Sequence, residues 1–208
     1  MDKLKALIFD IDGVILDHKT NNEYLWLRNI KNDFGVPADV IKELHYDKDS
    51  WKLLSLGRLS LKDYFTIFLA KKRINTITSK QLVKYFITHD NNIRQYMLDE
   101  IDKIKKLKKY KICIGTHQEP NKGMFLWNHE KLKLHFDYFF SSYIIGHLKT
   151  EKEFYSKIGD ILKLDPSEIM LIDDNQDNLK IAKECGWNTY LYTTFDDIKS
   201  NLFEKLSD

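Results

Sequence analysis

Near its start the chain reads LKALIFDIDGVILD (residues 4–17), an apolar run that ends in two aspartates, Asp10 and Asp12, and then Gly13. A second run ends in Thr116 and His117, Lys149 stands in GHLKTEKEFY, and a later run, IMLIDD, ends in Asp173 and Asp174. Brought to one crevice, these residues make a site of up to four carboxylates and one ammonium. Two bare carboxylates about 4–5 Å apart repel by roughly 3–4 kcal/mol at an effective dielectric of about 20, so such a cluster takes up protons or a hard cation. Oxygen donors without histidine or thiolate favour Mg²⁺, which uses a few carboxylates and fills its other positions with water or phosphate oxygens.

A carboxylate beside Mg²⁺ can attack phosphorus and form an aspartyl-phosphate. On this reading Asp10 attacks, and Asp12 protonates the leaving oxygen and later deprotonates a water. Gly13 permits the turn that brings the two together. Lys149 balances charge on nucleophile and phosphate, and the Thr116 hydroxyl binds phosphoryl oxygens. Each feature has an ordinary alternative. Asp-Gly is common turn chemistry, IDDN suits a helix start, Thr116 can simply end a strand, and a single lysine is usually a surface residue. The ordered set, each member at or between strand ends, carries the catalytic reading.

The elements that must position these residues are short apolar runs rich in β-branched and aromatic side chains: 6–10, 111–116, 168–174 and 188–193, with a weaker one at 136–142. Separated by helical patterns, they predict an α/β fold, a Rossmann-like doubly wound parallel sheet whose ligands sit beyond the strands' carboxyl ends. About 100 residues separate the first two runs, too many for one crossover helix. The stretch between them shows helical periodicity and no convincing strand. In SLKDYFTIFLAKK, Ser60 is a candidate N-cap, and Leu61, Tyr64, Phe65, Phe68 and Leu69 share a face. The expected division is an α/β core of residues 1–16 and 93–208 with an inserted helical cap, residues 17–92.

A net charge of +2 gives no reason to expect a nucleic-acid partner. The lysine-rich DKIKKLKKYK (102–111), with Ile101, Ile104 and Leu107, is expected to be the wet side of an amphipathic helix. Cys113 and Cys185 lack ligand spacing and are expected to be buried reduced thiols. No apolar stretch approaches the roughly 20 residues that span a bilayer, and no signal-peptide pattern is present, so no membrane partner and a cytoplasmic location are expected.

FDIDGVILD, CIGTH, Lys149 in GHLKTEKEFY and IMLIDDNQDNLKIAKECGW resemble, in order, the four motifs of the haloacid dehalogenase superfamily. The resemblance covers nearly the whole chain. It implies Asp10 as nucleophile, Asp12 as acid/base, Thr116 as phosphate ligand and Lys149 as the charge-balancing lysine. It also implies a Mg²⁺ site from Asp10, the Asp12 backbone carbonyl, Asp173 and Asp174, with Asn178 orienting that loop and, with Gly13 and His117, lining the substrate site. The insert's position resembles the helical cap of sugar-phosphate phosphatases and phosphoglucomutase-like enzymes. SWKLLSLGRLSLKDYF resembles caps of glucose-phosphate-phosphatase-like and epoxide-hydrolase-amino-domain-like proteins.

Asp12 favours phosphate-ester chemistry, because dehalogenating relatives lack an aspartate at that position. His117 stands where relatives carry asparagine, and donating to phosphate, reading substrate or packing are all open to it. Thr150 replaces a usual proline. Asp17 and His18 are expected at the hinge, with His18, His45, Tyr46, Trp51 and Arg58 as candidate readers of the substrate, although Trp51 also suits the cap core and Arg58 an ion pair. The implied function is Mg²⁺-dependent hydrolysis of a small phosphorylated metabolite by a monomer or weak homodimer. The alternatives are a phosphomutase and a non-catalytic phosphate-binding relative.

Overall fold

The computed structural model describes residues 3–21 and 23–207. Strand β1 (Ala6–Phe9) is buried along its whole length. Leu7 and Phe9 join one apolar cluster, while Ala6 and Ile8 join another. That two-sided burial explains why the strand reads as a continuous apolar run.

The chain then turns through residues 10–15 into β2 (Leu16–Asp17) and a small hairpin, β3 (Lys19–Thr20) with β4 (Glu23–Tyr24). Short helices follow: α1 (Ile30–Phe34), α2 (Ala38–Lys42), α3 (Lys48–Ser55), α4 (Leu61–Lys72) and α5 (Ser79–His89). Ser60 caps α4, accepting the Asp63 N–H at 3.0 Å, and all five residues expected on the helix's inner face are buried. A cluster from Trp26 to Phe86 packs these helices on one another. Strand β5 (Asn92–Ile93) returns antiparallel to β2, with Leu16 opposite Ile93. The chain leaves and rejoins the sheet region at one place.

Helix α6 (Gln95–Lys106) leads into β6 (Lys111–Thr116), then α7 (Pro120–Asn128), β7 (Tyr138–Ser141), α8 (Ser142–Ile145), α9 (Lys152–Leu162), β8 (Ile169–Asp173), α10 (Gln176–Glu184) and β9 (Asn188–Leu191). Helix α11 (Phe195–Ile198) continues through 199–203 into α12 (Glu204–Ser207). The five long strands form one parallel sheet in the order β7-β6-β1-β8-β9. This is the doubly wound α/β arrangement. The connections run one way from β1 through β6 to β7 and the other way through β8 to β9, so the order reverses beside β1, where such sheets open a ligand crevice. Helices α6 and α7 and the C-terminal helices cover one face, and α8, α9 and α10 cover the other.

Three expectations need correction. The hairpin β3–β4 is strand within the helical insert, too short to show a period of two. The lysine-rich stretch is not one helix: α6 stops at Lys106, Lys108 turns at φ 57°, and strand β6 begins at Lys111, leaving Leu107 exposed. Cys113 is a buried free thiol, whereas Cys185 is only partly buried. Among the described residues no helix is long and apolar enough to cross a membrane.

Candidate active site

Asp10 leaves the end of β1, its N–H still bonded to Ile172 O of the neighbouring strand at 2.9 Å. Next door, β8 ends in Asp173, with Asp174 following. Adjacent parallel strands thus deliver the aspartates to one spot, and carboxylate oxygens of Asp10, Asp173 and Asp174 lie within 4.8 Å of one another. The turn after Asp10 is closed by N–H groups of Ile15 and Leu16 on Ile11 O, both at 2.9 Å, and by Gly13 N–H on Leu16 O at 2.8 Å. Gly13 has φ +88°, and a Cβ there would stand 2.1 Å from Asp174 Oδ2. Glycine is therefore required twice, by backbone conformation and by the carboxylate that occupies the side-chain space.

Lys149 is buried, its Nζ 3.0 Å from Asp10 Oδ1 and 2.5 Å from Asp173 Oδ2. Asp173 also accepts from Asn175 N–H at 2.8 Å and from Asn178 Nδ2 at 3.2 Å. Tyr155 donates through its one hydroxyl toward the Lys149 and Asn178 carbonyls, at 2.8 and 3.0 Å, and so joins the Lys149 loop to α10. Burial pushes the Asp10 carboxyl well above its ordinary range; Lys149 opposes the rise, and Asp173 and Asp12 add to it. Burial alone would lower the Lys149 ammonium, but Asp10 and Asp173 outweigh it and raise the group. Burial, then Asp173, raises Asp174, which makes no ion pair among the described residues. Three convergent carboxylates with one ammonium leave negative charge unbalanced. An all-oxygen donor set of this kind suits a hard divalent cation.

Asp12 points elsewhere. Its Oδ2 accepts from Gln118 Nε2 at 2.6 Å, and its Oδ1 is 3.8 Å from Lys122 Nζ. Its carboxylate therefore lies outside the three-carboxylate cluster; the expected metal set took from Asp12 only its backbone carbonyl. Thr116 is buried at the end of β6, its Oγ1 accepting the Gln118 N–H at 3.3 Å. His117 Nε2 accepts the Lys149 N–H at 2.6 Å, and burial, then Lys149, pulls the imidazole down to about 4. His117 is thus neutral near pH 7, with one nitrogen committed to holding the lysine loop. A charged donor to phosphate is not what this environment makes.

A crevice of roughly 450 Å³ is lined by Asp10, Asp12, His18, His117, Asp174, Asn175, Gln176 and Asn178. Beside it, sharing His117, lies a second of roughly 460 Å³ lined by Tyr24, His45, Lys48, Trp51, Lys52, Ser55, Leu148 and Thr150. The His45 ring is stacked between Tyr24 and Trp51, at 3.8 and 5.2 Å. Trp51 donates to Leu44 O at 2.6 Å and packs on the Trp26–Phe86 cluster, as suits the cap core, and it also lines the crevice. Tyr46 is exposed, and neither it nor Arg58 lines either crevice.

Sequence reasoning missed Gln118, Lys122, Asp90 and Arg94. Lys122 and Asp90 are both buried and ion-paired. Arg94 grips Asp17 Oδ1 through Nε (2.9 Å) and Nη2 (2.5 Å), and the Val14 carbonyl through Nη1 (2.9 Å). One signal was present: Lys122 sits in the first turn of α7, where a cation opposes the helix dipole.

A family model described as haloacid dehalogenase-like hydrolase matches residues 4–186. The bifunctional epoxide hydrolase 2 of Rattus norvegicus is 31% identical over 204 residues, which cover 90% of this chain and 36% of that protein. The chain thus spans about a third of that relative's length. The D-ribitol-5-phosphate phosphatase of Bacteroides thetaiotaomicron is 24% identical over 90% of this chain and 91% of its own length. A phosphorylated carbohydrates phosphatase of Thermotoga maritima is 21% identical over 88% and 82%. Among solved structures, a haloacid dehalogenase-family enzyme of B. thetaiotaomicron in a magnesium complex superposes with a TM-score of 0.75 at 19% identity, over 94% of this chain and 96% of that one. A family hydrolase of Porphyromonas gingivalis superposes at 0.76 and 21% identity, over 99% of both chains. With the four motif regions gathered at the carboxyl ends of one parallel sheet, and with the family model spanning most of its length, this chain belongs to the haloacid dehalogenase-like hydrolases.

Proposed function

We propose that the chain is a Mg²⁺-dependent phosphatase that hydrolyses a small phosphomonoester through an aspartyl-phosphate on Asp10. One observation carries the reading: the Asp10 carboxylate lies 3.0 Å from the Lys149 ammonium and belongs to the same oxygen cluster as Asp173 and Asp174. Two relatives of similar length bear the names of phosphatases of sugar-type phosphates, which supports the substrate class.

Asp10, Asp173 and Asp174 would hold Mg²⁺ with the Asp12 backbone carbonyl, and the ion would supply positive charge opposite the phosphoryl oxygens. The chain's own groups do the rest. Lys149 keeps Asp10 and Asp173 from repelling an incoming phosphate. The Thr116 hydroxyl accepts the Gln118 N–H and keeps its own proton to donate to a phosphoryl oxygen. Asp10 attacks phosphorus as the bond to the leaving oxygen breaks, and Asp12 gives that oxygen a proton. Asp12 then takes a proton from water, whose oxygen displaces the Asp10 carboxylate and releases phosphate. Residues 17–92 act as the cap, and the crevice shared with His117 receives the leaving group and limits water there.

The test is release of inorganic phosphate from an aryl phosphate and from a panel of metabolite phosphates, with Mg²⁺ and with chelator. Turnover requires Mg²⁺ and falls at least about 10³-fold in Asp10→Asn. Equal turnover by wild type and Asp10→Asn overturns the proposal.

A further inference from the structure

We infer that Gln118 and Lys122 are positioning residues for the Asp12 carboxylate, and that Lys122 ties this carboxylate to the inserted helices through Asp90. The inference rests on the acid role proposed for Asp12.

Asp12 lies within the turn, just before Gly13, and keeps 39% of its side chain exposed, so the turn alone leaves its rotamer free. Proton transfer needs the carboxyl within about 2.6–3.2 Å of the leaving oxygen, and a misplacement of about 1 Å can cost on the order of 10²-fold. Gln118 supplies one constraint. It is buried, donates to Asp12 Oδ2 at 2.6 Å, and through its backbone N–H bonds the Thr116 hydroxyl. One residue thereby ties the acid to the phosphate-binding threonine.

Lys122 supplies the other. Only 1% exposed, it stands 3.8 Å from Asp12 Oδ1, a buried oxygen with no hydrogen bond among the described residues. The same ammonium pairs with Asp90, which ends α5, and lies 5.2 Å from the Phe86 ring on that helix. Buried ion pairs are weak devices for stability, since desolvation offsets most of their attraction. One ammonium between two carboxylates, held close to one and at longer range from the other, instead fixes their relative places. With Asp90 holding it, Lys122 faces Asp12 without closing on it. Movement of α5 changes that share.

Leaving-group dependence tests this. An alkyl phosphate needs its leaving oxygen protonated, whereas a nitrophenyl phosphate scarcely does. The constant kcat/KM reports only steps up to departure of the alcohol, so it excludes Asp12's later work on water. Asp12→Asn sets the full effect. In Gln118→Met, which keeps the shape and loses the donor, kcat/KM falls by a factor about ten times larger on the alkyl than on the aryl ester. Asp90→Asn, which leaves Lys122 only Asp12 to pair with, shifts the ratio the same way. A wild-type ratio in both variants, while Asp12→Asn discriminates, overturns the positioning role alone. An Asp12→Asn protein indifferent to leaving group overturns the acid role and the inference with it. Loss of turnover in Asp10→Asn stands apart from either outcome.

Discussion

Replacing Gly13 by alanine separates two demands that coincide at one residue. The first is conformational: φ is +88°, and an alanine in the left-handed region costs about 1–2 kcal/mol. The second is steric. The new Cβ would stand 2.1 Å from Asp174 Oδ2, whereas ordinary contact begins at 3.4 Å, so that oxygen or the turn must move by more than 1 Å. Metal sites tolerate displacements of only about 0.2 Å, so on the proposed function Asp174 would cease to be a ligand. Loss of even a supporting group costs about 10- to 100-fold in metal affinity, or roughly 1.4–2.8 kcal/mol. Gly35→Ala is the matched control: φ is +69° and nothing lies within 4 Å of the added carbon, so it carries the conformational cost alone. Calorimetric titration with Mg²⁺ and urea unfolding with and without the ion separate the two effects. Without metal Gly13→Ala loses at least as much stability as Gly35→Ala, and only Gly13→Ala binds Mg²⁺ at least about tenfold more weakly. Equal Mg²⁺ affinity in the two variants refutes the reasoning.

Lys149→Met leaves Asp10 and Asp173 buried without their ammonium, which costs about 3–5 kcal/mol and lowers Tm on the order of 10 °C; an unchanged Tm by calorimetry refutes the assignment. Because Asp10 and Asp174 are raised from 3.8, the folded metal-free protein holds protons that the unfolded chain releases. Their contribution to stability is complete below about pH 4 and is lost as pH rises through the raised values. On the proposed function Mg²⁺ would take the protons' place, so the Tm gain from saturating Mg²⁺ is larger at about pH 7.5 than at about pH 5, and a gain independent of pH contradicts this. Arg94→Lys replaces a fork that reaches Asp17 and Val14 O with a single ammonium; stability falls by about 1–3 kcal/mol in urea, and wild-type stability would dismiss the clamp.

The sheet was legible because its central strands are buried on both faces. Ala6–Phe9 and Ile169–Asp173 admit almost nothing but apolar residues until the chain emerges at the carboxyl end, where the polar groups stand out by contrast. The pairs that orient the site were not legible. Gln118 with Asp12, Arg94 with Asp17 and Lys122 with Asp90 join positions far apart in the chain, and a single long-range pair has no period to detect. The two-residue strands β3 and β4 are likewise too short to imprint a pattern. His117 was visible as a departure, but its role depends on the Lys149 N–H, a backbone group no side-chain pattern reports.

The pairing of Leu16–Asp17 with Asn92–Ile93 bears on how the polypeptide reaches its native state. Ile8 must find Cys113, about 100 residues away, before the central ladder exists. Closing an unstructured loop of that size costs roughly 4 kcal/mol in chain entropy, beyond a constant. The stretch between has its own cluster, from Trp26 to Phe86, built from neighbouring helices and rich in local contacts. Once that cluster has formed, its two ends lie side by side and the remaining search is that of a chain several times shorter. A segment that lengthens the protein therefore need not slow its assembly, and damage to the helical cluster should register first as delayed sheet formation.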